Sequence, residues 1–359
     1  MKKGIVIALI VILVLLLAFF TIGIFCPDLL PMQSQAASTE PSFTEAPTEP
    51  PTEAPTEAPT EAPTEPEPTE PEPTEPPFQM EVGSEYSKFL YGREMTAGEY
   101  FVYDLDRDRF LLRTGDPEER LYPASITKLY TALVALQYLD PQEEVTVGSE
   151  IWMVDADSSV AELKNGDVLT VEQLIAAMLL PSGNDAAQTV AAAAGRKLAE
   201  DPLLHPPYAV DRFVEQMNAD REKLGLLNSH FVTADGMHAG SHYISLQDMV
   251  TIGKLALENE VIAQSAATAE MELQLSENRK LEWENTNMIL DPDSRYYSSY
   301  ITGLKTGFTT PAGNCLLASA HIDGRNFLIG VFECQYPEDR FADALLLLMR
   351  TMNQPVPTP

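Results

Sequence analysis

A proline-rich acidic segment divides this chain and limits where a folded unit can lie. From about Ser38 to Pro77 the sequence repeats Pro-Thr-Glu and Glu-Ala-Pro units. The segment holds 13 of the 28 prolines and 11 of the 54 acidic residues, with no lysine or arginine. Because proline fixes φ and lacks an N–H donor, we expect neither helix nor sheet here. We predict a disordered, semi-rigid spacer over residues 28–77, and about 40 residues of this composition would extend on the order of 100 Å.

An uncharged segment precedes the spacer. Gly4–Phe25 is 22 residues long and follows Lys2 and Lys3. At about 1.5 Å per residue, such a helix would span a hydrocarbon core of roughly 30 Å. A small-residue site at Ser34–Ala36 is compatible with signal-peptide cleavage, but a cleavable apolar region is usually only about 7–15 residues long. We therefore predict a retained transmembrane anchor within residues 1–27, with the later part of the chain outside the cell membrane; secretion after cleavage is the alternative.

The charge and the counts of a few residue types exclude several function classes. The formal net charge is −31, whereas a protein that binds nucleic acid needs a cationic surface, so no nucleic-acid partner is expected. Three cysteines are too few for a disulfide framework, and the five histidines form no His-Glu-x-x-His pattern that would bind zinc. The hydrophobic content of 45% is ample for a buried core. We predict one catalytic domain over residues 78–354 and a short tail at 355–359.

The first candidate motif is Ser125-Ile-Thr-Lys128, the only Ser-x-x-Lys in the chain. Tyr100–Asp104 reads as a strand before it, and apolar residues recur at helical spacing after Ser125. Because Pro123 suits a helix start, Ser125 is predicted in the first turn, with Lys128 on the same face. Taken alone, the motif also fits a helix-capping serine beside a surface lysine.

The second candidate motif is Ser182-Gly183-Asn184, which follows Pro181. The apolar run Val171–Leu180 predicts a helix before it, and a second helix is predicted from Asn184 or Asp185 to Gly195. A simple turn between two helices, with a capping asparagine or aspartate, is the alternative interpretation.

The third candidate motif is Lys305-Thr306-Gly307. It is predicted at the end or edge of a strand, followed by a hairpin whose turn is Asp323-Gly324. Gly307 removes a side chain where another backbone or a ligand could approach closely, although an ordinary turn glycine is the alternative.

The order Ser-x-x-Lys, Ser-Gly-Asn, Lys-Thr-Gly resembles the signature set of penicillin-binding proteins and serine β-lactamases. The flanking residues, from about Tyr100 to Met349, resemble the low-molecular-mass serine D-Ala-D-Ala carboxypeptidases. The resemblance implies an α/β (α+β) penicillin-binding fold, with a mostly antiparallel sheet flanked by helices. It also implies an all-helical subdomain that holds Ser182 and Asn184.

The same resemblance implies removal of the terminal D-Ala from peptidoglycan stem pentapeptides through a serine acyl-enzyme, with β-lactam antibiotics as inhibitors. No metal or organic cofactor is implied. The implied catalytic residues are Ser125, Lys128, Ser182 and Asn184. The implied substrate-binding residues are Lys305, Thr306, Gly307, Phe308 and Arg340.

The residue types explain how such a site would work. A serine hydroxyl needs a base, and Lys128 can serve only when neutral, a form that burial and a nearby Lys305 would favour. Ser182 can relay a proton and Asn184 can orient Lys128, while Lys305 and Thr306 offer a cation and a hydroxyl to a carboxylate.

By resemblance, the backbone N–H groups of Ser125 and Phe308 form the oxyanion hole and Arg340 helps to hold the substrate carboxylate. A surface arginine at a helix start is the alternative for Arg340. Asp235, His242 and Asn287 also match family segments, and we interpret them as structural.

Two other functions stay open from the sequence. One is a serine β-lactamase, although no Glu-x-x-Leu-Asn segment separates the second and third motifs. The other is a non-catalytic wall-binding module, which a broken motif would indicate. Cys315 and Cys334 lie nearly equidistant from the predicted hairpin turn. They are interpreted as buried free thiols, with a cross-strand disulfide as the alternative.

Overall fold

The computed structural model describes residues 94–353. The predicted membrane segment, the spacer and the tail at 355–359 lie outside the described residues. Within residues 94–353, no helix combines the length and the apolar character that crossing a bilayer requires.

The described part of the chain is a mixture of helices and antiparallel strands. The strands are β1 (Glu99–Asp104), β2 (Arg109–Arg113), β3 (Arg120–Leu121), β4 (Glu144–Thr146), β5 (Val168–Thr170), β6 (Ile244–Ser245), β7 (Glu270–Ser276), β8 (Arg279–Glu284), β9 (Ile301–Thr309), β10 (Gly313–Ile322) and β11 (Arg325–Cys334). The α-helices are α1 (Thr127–Ala135), α2 (Val171–Leu179), α3 (Asn184–Leu198), α4 (Pro206–Arg221), α5 (Leu246–Glu258), α6 (Glu260–Ala267) and α7 (Asp339–Asn353). Two short 3₁₀ helices span Ala124–Ile126 and Ser149–Met153.

A five-stranded antiparallel sheet in the order β2-β1-β11-β10-β9 forms the centre of the fold. The predicted hairpin is confirmed, since Ile322 pairs with Arg325 across the Asp323-Gly324 turn. Both faces of the sheet are covered, so β10 and β11 are buried along most of their length. Strand β9 lies at the edge, and Lys305–Gly307 occupies its interior rather than its end.

Helices α5 and α6 pack on one face of the sheet and share an apolar core with α1 to α4, while α7 covers the other face over a second core. Helix α2 starts at a capping box formed by Thr170 and Gln173. The predicted boundary at Pro181 also holds, since α2 ends at Leu179 and α3 begins at Asn184.

The helical region was predicted to contain only helices, but it also contains the antiparallel pair β4–β5. Each of these strands has three residues, which is too short to produce a recognisable alternation of apolar and polar residues. The pair lies immediately before α2 and fixes the entry of that helix, because Val171 N donates to Glu143 O at 3.0 Å.

The two cysteines of the hairpin are free and buried. Leu316 pairs with Val331, and beyond a bulge Asn314 pairs with Cys334, so Cys315 does not lie opposite Cys334. Cys315 therefore packs in the core on the helical side of the sheet, and Cys334 packs in the core under α7. Free thiols, the favoured interpretation of the sequence, match this arrangement.

Candidate active site

Ser125 lies in the tight 3₁₀ turn Ala124–Ile126, immediately before α1. The sequence predicted this serine in a first helical turn, and the structure tightens that turn to 3₁₀ geometry. The preceding Ala124 has φ of +48°, which is unusual for a residue with a side chain. Ser125 is partly exposed, whereas Ala124 and Ile126 are buried, so only the serine of this turn faces solvent.

Lys128 is completely buried and makes three hydrogen bonds. Its Nζ donates to Ser125 Oγ at 2.8 Å, to Asn184 Oδ1 at 2.7 Å and to Asp235 O at 2.8 Å. These three acceptors match the three protons of an ammonium group. In the neutral amine, two N–H groups can still serve Asn184 and Asp235 while the lone pair accepts the hydroxyl proton of Ser125.

Burial and the neighbouring charges have opposite effects on the pKa of Lys128. Burial lowers the pKa of Lys128 to about 8, while the nearby carboxylates of Asp235 and Asp185 act in the raising direction. A substantial fraction of neutral amine is therefore present at mildly alkaline pH, which ordinary exposed lysines lack.

Ser182 and Asn184 reach the same place from the loop between α2 and α3. Ser182 has φ of +63° and is 5% exposed, and its hydroxyl bonds no other residue of the described range. Asn184 is the first residue of α3, and its N–H donates to Ser159 O at 2.8 Å. The loop therefore presents one free hydroxyl and one amide oxygen to the site.

Lys305 approaches from the edge strand β9 and is 1% exposed. Its Nζ donates to Thr286 Oγ1 at 3.3 Å and to Thr306 Oγ1 at 3.4 Å, and those two hydroxyls are 2.6 Å apart. Burial, together with the charges of Lys128 and Arg340, lowers the pKa of Lys305 well below its usual range. A bound anion would reverse that effect by stabilising the ammonium form.

Gly307 allows the edge strand to approach the Ser125 turn. A Cβ atom at this position would lie 3.0 Å from Pro123 O and 3.2 Å from Ser125 N. The expectation of a close backbone approach at Gly307 is confirmed. The contact places the N–H of Ser125 beside the strand that continues to Phe308, whose side chain is exposed at the cleft.

Arg340 lies in the first turn of α7, and its Nη1 donates to Gly307 O at 3.1 Å. Its Nε is buried and has no hydrogen-bond partner within residues 94–353. The guanidinium therefore borders the cleft behind the third motif rather than pointing into solvent from an isolated helix start.

These elements enclose a cleft of about 410 Å³. The predicted residues that line it are Ser125, Ser182, Asn184, Thr306, Gly307, Phe308 and Arg340. The buried amines of Lys128 and Lys305 complete the set through their bonds to Ser125 and Thr306. The structure thus brings all nine predicted site residues together.

The cleft also contains residues that the sequence analysis did not single out. Thr286 joins Lys305 to Thr306, and the polar loop Asp157–Ser159 forms part of the wall. Thr286 belongs to the Asn285-Thr286-Asn287 segment that resembles the family, which was the available signal. The loop carried none beyond its polarity.

His242 and Asn287 have the structural partners that we expected. His242 is 2% exposed, its Nε2 lies 3.0 Å from Thr127 Oγ1 and its Nδ1 accepts from Val232 N at 3.2 Å. Burial lowers the pKa of His242 to about 4, so the ring is neutral at physiological pH. Asn287 Oδ1 accepts from Ile289 N at 3.3 Å.

Comparison with known proteins matches the chain to one family and to named relatives of it. Residues 87–335 match the Peptidase_S11 family, described as D-alanyl-D-alanine carboxypeptidase. The chain is 28% identical over 248 residues to D-alanyl-D-alanine carboxypeptidase DacF of Bacillus subtilis, and 31% identical over 254 residues to DacD of Escherichia coli. These matches cover 68% and 66% of this chain but only 59% and 58% of the two relatives.

Solved structures agree with the sequence matches. The crystal structure of the Streptomyces K15 DD-transpeptidase superposes with a TM-score of 0.63 at 26% identity. The superposition covers 72% of this chain and 98% of that one.

Proposed function

The chain belongs to the Peptidase_S11 family of D-alanyl-D-alanine carboxypeptidases, and from that premise we propose that it removes the terminal D-Ala from peptidoglycan stem pentapeptides. The observation that carries the proposal is the contact between Lys128 Nζ and Ser125 Oγ at 2.8 Å, at the base of a cleft. A partly exposed serine that is hydrogen-bonded to a buried amine with a lowered pKa is an activated nucleophile.

The first half-reaction is acylation. Neutral Lys128 takes the proton of Ser125, and Oγ forms a bond to the carbonyl carbon of the penultimate D-Ala. The developing oxyanion receives hydrogen bonds from the N–H groups of Ser125 and Phe308, and losing one such donor typically costs about 2.7–4 kcal/mol of barrier. The C–N bond then breaks, and the proton returns from Lys128 through Ser182 to the amine of the departing D-Ala.

The substrate carboxylate binds on the sheet side of the cleft. Lys305 regains its positive charge when a carboxylate lies beside it, and Thr306 adds a hydroxyl donor. Arg340 contributes a second cation behind Gly307, and its unpartnered Nε supports that role. A dipeptide with a free C-terminal carboxylate therefore fits this end better than an internal peptide bond does.

The second half-reaction releases the acyl group. Water attacks the ester carbonyl while Lys128 accepts a proton from that water. The bond from the carbonyl carbon to Ser125 Oγ then breaks, Lys128 returns the proton to Oγ, and the shortened peptide leaves with a new carboxyl group. β-Lactam antibiotics acylate the same serine, and the retained ring fragment slows the water step, so a stable adduct is expected.

The direct test uses the full-length chain in detergent with a stem-pentapeptide mimic. Release of one D-Ala per peptide is expected from the unmodified chain and none from Ser125→Ala. Lys280→Ala removes an exposed lysine of the β7–β8 hairpin and serves as a control for handling. No release by the unmodified chain, or equal release by Ser125→Ala, would overturn the proposal.

A membrane location is part of the proposal and rests on the sequence. Gly4–Phe25 carries no charge and follows two lysines, which favours a single anchor with the later residues outside the cell membrane. The expected result is full-length protein that stays with membranes after alkaline carbonate extraction. Recovery of a soluble chain that lacks these residues would instead support signal cleavage.

A further inference from the structure

The turn Asp235-Gly236 lies directly under the candidate nucleophile. Gly236 has φ of +83°, and a Cβ there would lie 2.0 Å from Ala124 O. Thr131 Oγ1 of α1 donates to Ala234 O at 2.6 Å. These contacts hold the turn against the Ser125 loop, where Asp235 O accepts from Lys128 Nζ at 2.8 Å.

The side chain of Asp235 is a buried carboxylate that forms no ion pair. It is 4% exposed and accepts from Met237 N and from Gln188 Nε2, each at 3.0 Å. Within residues 94–353, no lysine, arginine or histidine nitrogen lies within 4.0 Å of its oxygens. Because a buried charge interacts more strongly than an exposed one, this carboxylate acts on the buried amine that its own backbone carbonyl binds, Lys128, and on the ring of His242. His242 stays neutral above about pH 5, because its pKa is about 4.

The other charges that face Lys128 have different roles. The Asp185 carboxylate binds the backbone N–H groups of Ala161 and Leu163, so it holds the segment that follows the cleft wall Asp157–Ser159. The ammonium forms of Lys305 and Lys128 repel one another. Asp235 opposes that repulsion, and its charge raises the pKa of Lys128 more than that of Asp185 does. Its carboxylate also accepts from the N–H of Met237, which lines the cleft, and the Asn variant used below keeps an acceptor there.

We propose that Asp235 is a positioning residue whose buried negative charge stabilises the ammonium form of Lys128. This inference rests on the proposed function, in which Lys128 is the base for Ser125. The same amine must accept a proton from Ser125 and later return it to the leaving group. Asp235 keeps the amine basic enough to accept that proton. Its charge also moves the acid limb of acylation, the pH range in which the rate falls as Lys128 becomes protonated, to higher pH than burial alone would give.

The test is the pH dependence of acylation by a fluorescent penicillin, measured on the full-length chain and on Asp235→Asn. This substitution removes the charge but keeps the shape. Met237 N retains an acceptor, and a rotated Gln188 amide can accept from the new NH₂ group through its buried Oε1, which now has no partner.

The expected result is an acid limb displaced by roughly 1 pH unit to lower pH, as for loss of an opposite charge near an ionisable group. Acylation at pH 6 should then be roughly tenfold faster than in the unmodified chain. Asp235→Glu should return the limb toward its original position. Asp248→Asn is the matched control, because Asp248 is equally buried, at 2% exposure, but bonds Ser229 on another part of the fold.

An unchanged limb in folded Asp235→Asn would overturn the inference, and so would a displacement to higher pH. If that variant does not fold, Asp235→Ser, which is neutral and smaller, must give the same displacement, and an unmoved limb there is equally decisive. Absence of acylation in the unmodified chain at every pH would instead refute the proposed function. The two failures are therefore distinguishable.

Discussion

At the scale of single residues, the proposed chemistry depends on Lys128 more than on any other side chain. It contacts the candidate nucleophile, the second motif and the Asp235 turn at once. Its burial is complete, and no carboxylate oxygen of the described range pairs directly with its Nζ. An amine in this position exchanges a proton near neutral pH, which an exposed lysine cannot do.

Acylation should follow the ionisation of Lys128. Because only the neutral amine accepts a proton, the rate should rise with pH and level off above about 8, the pKa of Lys128. Lys128→Arg keeps the positive charge but stays protonated throughout this range, so penicillin acylation should fall by roughly 10²–10⁴-fold. Stopped-flow acylation rates between pH 5 and 10 measure both effects. Normal acylation in Lys128→Arg would contradict the assignment of the base.

Arg340 should affect binding more than chemistry. Removing a charged hydrogen-bond donor typically costs about 1.5–3 kcal/mol, so Arg340→Ala should raise KM for a peptide by roughly 10- to 100-fold. The value of kcat should change far less, since Arg340 contacts Gly307 O rather than Ser125 or Lys128. Arg350→Ala, an exposed position on the same helix, is the control. A loss confined to kcat would contradict this role.

At the scale of elements, the site depends on how closely β9 approaches the 3₁₀ turn. Gly307 and Gly236 contact the Ser125 turn from two directions, and a Cβ on either would meet backbone atoms at 3.0 Å or less. The backbone of the turn is therefore held by packing, which preorganises the N–H of Ser125.

Gly307→Ala should displace β9 from the turn by a few tenths of an ångström and thereby disturb the oxyanion site. We expect acylation to fall by roughly 10- to 100-fold, because small misplacements in a catalytic site are costly. Gly240→Ala is the matched control, since a Cβ there would meet nothing within 4 Å. Thermal melting and acylation rates of both variants test this prediction. Equal acylation in the two variants would show that the close approach of β9 to the Ser125 turn is not critical for acylation.

Many elements could be predicted from the sequence because their signals are local. The apolar run ending at Pro181 gave α2, and the β-rich runs around Asp323-Gly324 gave the β10–β11 hairpin. The positive φ of Ala124 and Ser182 could not be predicted, since tertiary packing imposes a conformation that these residue types rarely adopt alone.

At the scale of the whole molecule, the site lies where the helical region meets the edge of the sheet. Two of the three motifs come from the helical region and the third from β9, so neither part contains the site alone. The order of the three motifs, through its resemblance to a known family, predicted which residues would lie in one site. The contributions of Thr286 and Asp235 required the fold, because each acts through a neighbour distant in sequence.

The most direct test of the central claim is the intact mass of the full-length chain after incubation with penicillin, followed by peptide mapping. We predict a stable gain of one penicillin mass, located on Ser125 and absent from Ser125→Ala. An adduct on another residue, or no adduct in the unmodified chain, would contradict the assignment of Ser125 as the nucleophile.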